Sequence, residues 1–147
     1  MATRYAADEA EIRQVIDRLT EAIRAADLDG LKPVFAQDVV SFDVASPLRD
    51  VGADAKRRNW AQAFEMFRTP LGYEIHDLAV TVGDDVAFAY GLGRLSGTLR
   101  NGEATSGFWV RWTAGLRKID GTWRIAHDQV SVPVDPLSGK AMVDLQP

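Results

Sequence analysis

The sequence predicts an α+β domain. Apolar residues recur at helical spacing through the first half, and after Pro70 the spacing changes to period two and stays there. Turn signals then separate the alternating runs at hairpin intervals. Helices that precede an antiparallel meander, instead of alternating with its strands, form a layer segregated from the sheet.

The elements follow in order. Ile12, Val15, Ile16, Leu19 and Ile23 make one stripe, filled by Ala22 and Ala26. This predicts a helix from Asp8 to Ala26, with Asp8 as N-cap and Glu11 as its capping-box partner. Asp27-Leu28-Asp29-Gly30 breaks it, and a second helix carrying Leu31, Val34 and Phe35 is expected, short or kinked because of Pro33. Val39 to Asp43 reads as a strand, and Ser46 to Gly52 as a loop. A third helix is expected from Ala53 to Phe67, with Trp60, Phe64 and Phe67 on one side. Its basic cluster, Lys56-Arg57-Arg58, reads as a solvated face. Four antiparallel strands follow. Leu78, Val80 and Val82 alternate, as do Val86, Phe88, Tyr90 and Leu92, then Phe108, Val110 and Trp112, then Trp123, Ile125, His127 and Gln129. Gly83-Asp84-Asp85, Asn101-Gly102 and Asp120-Gly121 are the turns. The segment 134–147 reads as a loop or subunit-interface arm.

At 147 residues, 46% hydrophobic and 26% charged, the chain reads as a single globular domain, 1–147. The absence of cysteine excludes disulfides, thiolate metal sites and Cys nucleophiles. A net charge of −4 argues against nucleic acid as a partner. No apolar run is long enough to span a membrane, and the opening residues show no apolar signal core, so a cytoplasmic protein without membrane attachment is expected. Gly91-Leu-Gly93-Arg-Leu-Ser-Gly97 has the wrong spacing for a dinucleotide loop and lies within a strand pattern. His76 and His127 do not form a metal-ligand pair, so no metal and no organic cofactor is expected.

Two segments carry a resemblance. The stretch Leu28-Asp29-Gly30-Leu31, continuing through Phe35-Ala36-Gln37-Asp38-Val39-Val40-Ser41-Phe42-Asp43, resembles the nuclear transport factor 2-like superfamily. The ending Asp120-Gly121-Thr122-Trp123-Arg124-Ile125-Ala126-His127-Asp128-Gln129-Val130-Ser131 resembles its SnoaL-like branch, to which ketosteroid isomerases are related. The resemblance covers about residues 8–133. It implies a cone: three N-terminal helices packed on a curved antiparallel sheet, enclosing a pocket. It also implies a homodimer formed through the outer sheet face.

Aligned on the Asp-Leu-Asp-Gly step, Asp43 falls where ketosteroid isomerases carry their general base. The oxyanion-hole Tyr of those enzymes falls at Leu19 and the protonated Asp near Arg111, so neither donor is kept. The expected ligand is a small, largely apolar carbonyl compound. Asp43 and His127 are the catalytic candidates, as base and as acid, with Arg111, His127 and Gln129 as donors to a developing enolate. Trp60, Phe42 and Phe64 are candidate pocket walls. The alternative is a binding or association module, in which Asp43 is locked to Arg111 as a structural ion pair. A plain Asp120-Gly121 turn sets His127 opposite Ala114 and puts Arg111 on the other face. For the two to share a pocket a bulge is needed, and Ala114-Gly115 is the expected place.

Overall fold

The computed structural model describes residues 4–147, and the reading of the first three residues lies outside it. Helix α1 spans Ala6–Arg24 and is followed by a 3-10 turn over Asp29–Leu31. Strand β1 spans Phe35–Phe42, β2 Asp50–Val51, and helix α2 Ala53–Glu65. The remaining strands are β3 (Phe67–Val82), β4 (Val86–Leu99), β5 (Ala104–Thr105), β6 (Trp109–Ile119) and β7 (Thr122–Ser131). The α+β class therefore stands, with two α-helices where three were expected. Pro33 carries no N–H to extend the 3-10 turn, and Phe35 already opens β1.

The seven strands form one sheet in the order β2-β1-β7-β6-β4-β3, with β5 on the edge of β4. The expectation of a purely antiparallel sheet is corrected. β7 runs antiparallel to β6 but parallel to β1, so the sheet is mixed. Register shifts in the β3–β4, β6–β7 and β1–β7 ladders bend it, as bulges do. At the β6–β7 turn both Asp120 (φ 51°) and Gly121 (φ 80°) are left-handed, the geometry for which an Asp-Gly pair is suited.

Ile12, Val15, Ile16, Leu19, Ala22 and Ile23 bury the expected stripe of α1. It lies against the inner sheet face, where Trp112, Leu116, Trp123 and Ile125 complete the core. The capping box does not form. The helix opens at Tyr5, without a side-chain cap, three residues before Asp8 could serve. Asp8 instead accepts the indole Nε1–H of Trp123 at 2.9 Å, and Glu11 accepts the Trp123 backbone N–H at 3.0 Å. Two acidic residues of the first helix thus fasten the last hairpin. On β4 the small residues Ala87 and Ala89 face the core, and Phe88 and Tyr90 face outward, 48% and 52% exposed. In the C-terminal segment, Val134 bridges Ala141 to close a small loop.

Candidate functional site

The site starts at α2. Gly52, at φ 94°, turns the chain into the helix in a conformation that L side chains disfavour. Lys56, Trp60 and Phe64 then follow at four-residue intervals, on one helix face. That face turns towards the sheet, so Lys56 is 2% exposed although it belongs to a run of three basic residues. Its ammonium lies 5.6 Å from the ring centre of Phe35 and 5.9 Å from that of Trp60.

Three oxygen-bearing side chains meet this ammonium. Nζ donates to Ser41 Oγ at 2.9 Å and lies 3.1 Å from Asp128 Oδ2 and 3.6 Å from Asp43 Oδ2. Ser41 Oγ donates in turn to Asp128 Oδ1 through a short hydrogen bond. The two carboxylates differ in access: the Asp128 side chain is 4% exposed and that of Asp43 15%. The other oxygen of Asp43 accepts the Val44 N–H at 2.7 Å. Of the three N–H bonds of Lys56, one serves Ser41 and one Asp128. The contact with Asp43 is longer than a good hydrogen bond and leaves the third N–H open to another acceptor. Burial pushes the Tyr73 hydroxyl up from its ordinary pKa, and the charges of Asp128 and Asp43 add to this, so it stays neutral. Its ring meets Trp60 edge-on at 6.2 Å. The indole Nε1–H of Trp60 is buried with no acceptor among the described residues.

The register of β7 decides which residues join this cluster. From the turn, Ile119 pairs with Thr122 and Leu116 with Ile125. Gly115 then pairs with His127, leaving Ala126 as the extra residue. The expected bulge therefore exists at Gly115, and it does bring Arg111 and His127 to one face, with Gly115 opposite His127 and Arg111 opposite Ser131. That face is the outer one. Successive strand residues point to opposite sides, and Asp128, not His127, turns inward.

The expected grouping is corrected accordingly. Asp43, Trp60 and Phe64 lie on the inner side, Phe64 at 7% exposure in the core and 5.5 Å from the Trp60 ring. His127, Gln129, Arg111 and Phe42 lie on the outer side. His127 Nδ1 hydrogen-bonds the Val40 carbonyl, its ring meets Phe42 edge-on at 4.8 Å, and Arg111 donates to Ser131 Oγ at 3.2 Å. The supposed Asp43–Arg111 ion pair does not form, because Asp43 pairs with Lys56. Sequence reasoning missed Lys56, Ser41 and Asp128. The four-residue spacing from Lys56 to Trp60 and Phe64 was the available signal, since it places a cation on the apolar stripe.

A cleft of about 640 Å³ opens beside this cluster, between the 3-10 turn, β1, α2 and the β6–β7 hairpin. Leu28, Leu31, Phe35 and Trp60 make its apolar part, and Lys56 joins its wall while both carboxylates stay behind. A cleft of this size suits a small organic ligand. Among the described residues no group of three or more His, Asp or Glu is placed to hold a metal ion, and no helix is long and apolar enough to cross a membrane.

A curved mixed sheet packed on a long helix, with a buried polar cluster beside a cleft, defines a small α+β protein. The chain belongs to the SnoaL-like domain family, whose profile matches residues 12–135. It is similar to an NTF2-like protein of unknown function from Pseudomonas putida KT2440, at 33% identity over 96% of this chain and 97% of that one, with a TM-score of 0.86. Two more distant structures share the fold. A ketosteroid isomerase-like protein from Erwinia carotovora atroseptica is 23% identical over 83% of this chain and 93% of that one (TM-score 0.69). A proposed dehydratase of the NTF2-like family from Streptomyces avermitilis is 15% identical over 88% and 98% (TM-score 0.76). Among curated proteins none matches.

Proposed function

We propose that this SnoaL-like protein binds a small carbonyl compound and moves a proton on it without a cofactor, as an isomerase, cyclase or dehydratase does. The observation that carries the reading is the unequal sharing of Lys56: held by shielded Asp128 and Ser41, it keeps a loose contact with the more accessible Asp43. In the proposed step the ligand reaches past Lys56, in the cleft wall, to the Asp43 carboxylate behind it, which removes the proton α to the carbonyl. The electron pair moves to the carbonyl oxygen, and the third N–H of Lys56 stabilises the resulting enolate. Protonation of the enolate at a second carbon, by the Asp43 carboxylic acid, completes an isomerisation. Lys56 thus takes the place of the donors lost at Leu19 and Arg111.

A thermal-shift screen of ketones, dicarbonyls, phenols and steroids on wild type and Asp43→Asn tests this, followed by solvent-deuterium exchange on any compound that binds. The expected result is one stabilising class, exchange by wild type, and a folded Asp43→Asn protein that binds without exchanging. No stabilising compound, together with a much lower melting temperature for Asp43→Asn, favours a structural role and the association-module reading. A second copy is also proposed as partner, on the outer face. The support is the stacked Phe88–Tyr90 pair, about half exposed, with ring centres 6.5 Å apart. Tyr90→Asp is expected to convert a dimer to a monomer in light scattering.

A further inference from the structure

The protein as a whole is acidic, with net charge −4, yet the rim of the Lys56 cleft is basic. Lys32, Arg57, Arg117 and Arg124 stand on it against Asp38 and Asp54. Each charge can be followed to its partner. Arg117 is neutralised by Asp38. Asp54 lies in the first turn of α2, where the helix N-terminus already offsets a negative charge. Lys32 and Arg57 share one carboxylate, approaching the same oxygen of Asp29 at 3.3 and 3.6 Å, so two cations face a single anion. Arg124 has no ion pair among the described residues. Its Nη1 donates to the carbonyls of Pro33 at 3.0 Å and Lys32 at 3.5 Å, which aims the guanidinium and leaves its other N–H groups unspent.

The surplus is therefore local. It comprises Arg124 and the unmatched half of the Lys32–Arg57 pair, and it stands above an apolar wall of Leu28, Leu31, Phe35 and Trp60. Isolated surface cations are ordinarily of little consequence. Cations at the mouth of a concave apolar site concentrate their field on whatever enters it. A guanidinium held by backbone carbonyls is preorganised for a planar, two-oxygen anion.

We infer that the ligand of this cleft is a compact aryl or acyl carboxylate, its apolar body against Trp60 and Phe35 and its carboxylate at Arg124. This rests on the reading of the Lys56 cleft as the ligand site. It narrows the carbonyl class to oxo acids and related anionic compounds.

The test compares phenylpyruvate with phenylacetone, which has the same ring and ketone and no carboxylate. Calorimetric binding to the full chain at low salt is expected to favour phenylpyruvate by about tenfold, and added salt is expected to shrink the preference. Arg124→Gln is expected to remove most of that preference and leave phenylacetone binding unchanged. Lys32→Gln with Arg57→Gln, both on the exposed rim, is expected to weaken phenylpyruvate about threefold without disturbing the fold. Equal affinity for the two probes, no binding of phenylpyruvate, or a preference that survives both variants overturns the inference. Asp43→Asn separates it from the catalytic reading. Phenylpyruvate binding that persists in that variant, with no deuterium exchange even in wild type, defeats the catalytic reading alone. Exchange that depends on Asp43, with no preference for the carboxylate, defeats the anion inference alone.

Discussion

The two faces of the sheet at β1 and β7 are built from neighbouring residues of the same chain segments and differ in almost every property. On the inner side Ser41, Asp43 and Asp128 surround a lysine that water hardly reaches. On the outer side, one residue away along each strand, exposed Phe42 and half-buried His127 pack against each other. The inner group is held by mutual charge and has nowhere else to go. The outer group makes one side-chain hydrogen bond and one ring contact, and each of its members has water as an alternative. Adjacent positions in a strand are thus independent environments, and the register alone assigns a residue to one or the other.

That comparison is most severely tested by inserting one alanine between Gly115 and Leu116. The new residue gives Ala126 a partner, erases the bulge and exchanges the faces of the residues beyond it, driving His127 inward and Asp128 outward. Loss of cooperative unfolding in urea is the expected outcome, and a native-like transition would show that register does not control the cluster. Next in size is Lys56→Met, which leaves buried Asp128 and half-buried Asp43 facing each other without a cation. It is expected to cost about 3–5 kcal/mol in chemical denaturation. A smaller effect separates two tyrosines at alkaline pH. The buried Tyr73 has a folded pKa raised above its ordinary 10.0, so its contribution to stability is complete below that pH and declines as the pH rises beyond it. Tyr73→Phe should remove that part of the alkaline loss of stability, whereas Tyr90→Phe on the outer face should leave it in place. The smallest effect belongs to His127→Ala, which forfeits one hydrogen bond and a half-buried ring contact. A loss of about 1 kcal/mol or less is expected, and a loss as large as that of Lys56→Met would erase the distinction between the faces.

The same two faces explain what could be read from the sequence. Helix α1, the strand leading to Asp43, the hairpin turns and the bulge at Gly115 were legible because each is written locally, in a stripe, an alternation or a turn dipeptide. Asp43 was within reach only through the resemblance, which aligns it with the general base of ketosteroid isomerases. The direction of β7 was not, since the parallel pairing of Val40 with His127 joins segments far apart in the chain. Lys56 was hidden by its neighbours: Arg57 and Arg58 are exposed, and a basic run reads as solvated unless its helical phase is followed to Trp60 and Phe64. Asp128 was hidden by the bulge, because only the displaced register turns it away from the side it would share with Ala126. The capping-box residues were misread for a related reason. Asp8 and Glu11 have the right spacing for a cap, and nothing local shows that Trp123 will claim them.

The place of β7 between β1 and β6 also governs how the chain is assembled during synthesis. The β3, β4 and β6 strands can zip up in the order in which they leave the ribosome. β1 is made early, yet in this sheet it has only the two-residue β2 as a partner until β7 emerges. The nascent chain must therefore carry an unpaired strand and a half-built lysine cluster until Asp128 arrives, a long wait of the kind that slows folding and exposes sticky edges. That interval ends when β7 pairs with β1, and the hydrogen bonds from Trp123 to Asp8 and Glu11 then fasten the last hairpin to the first helix.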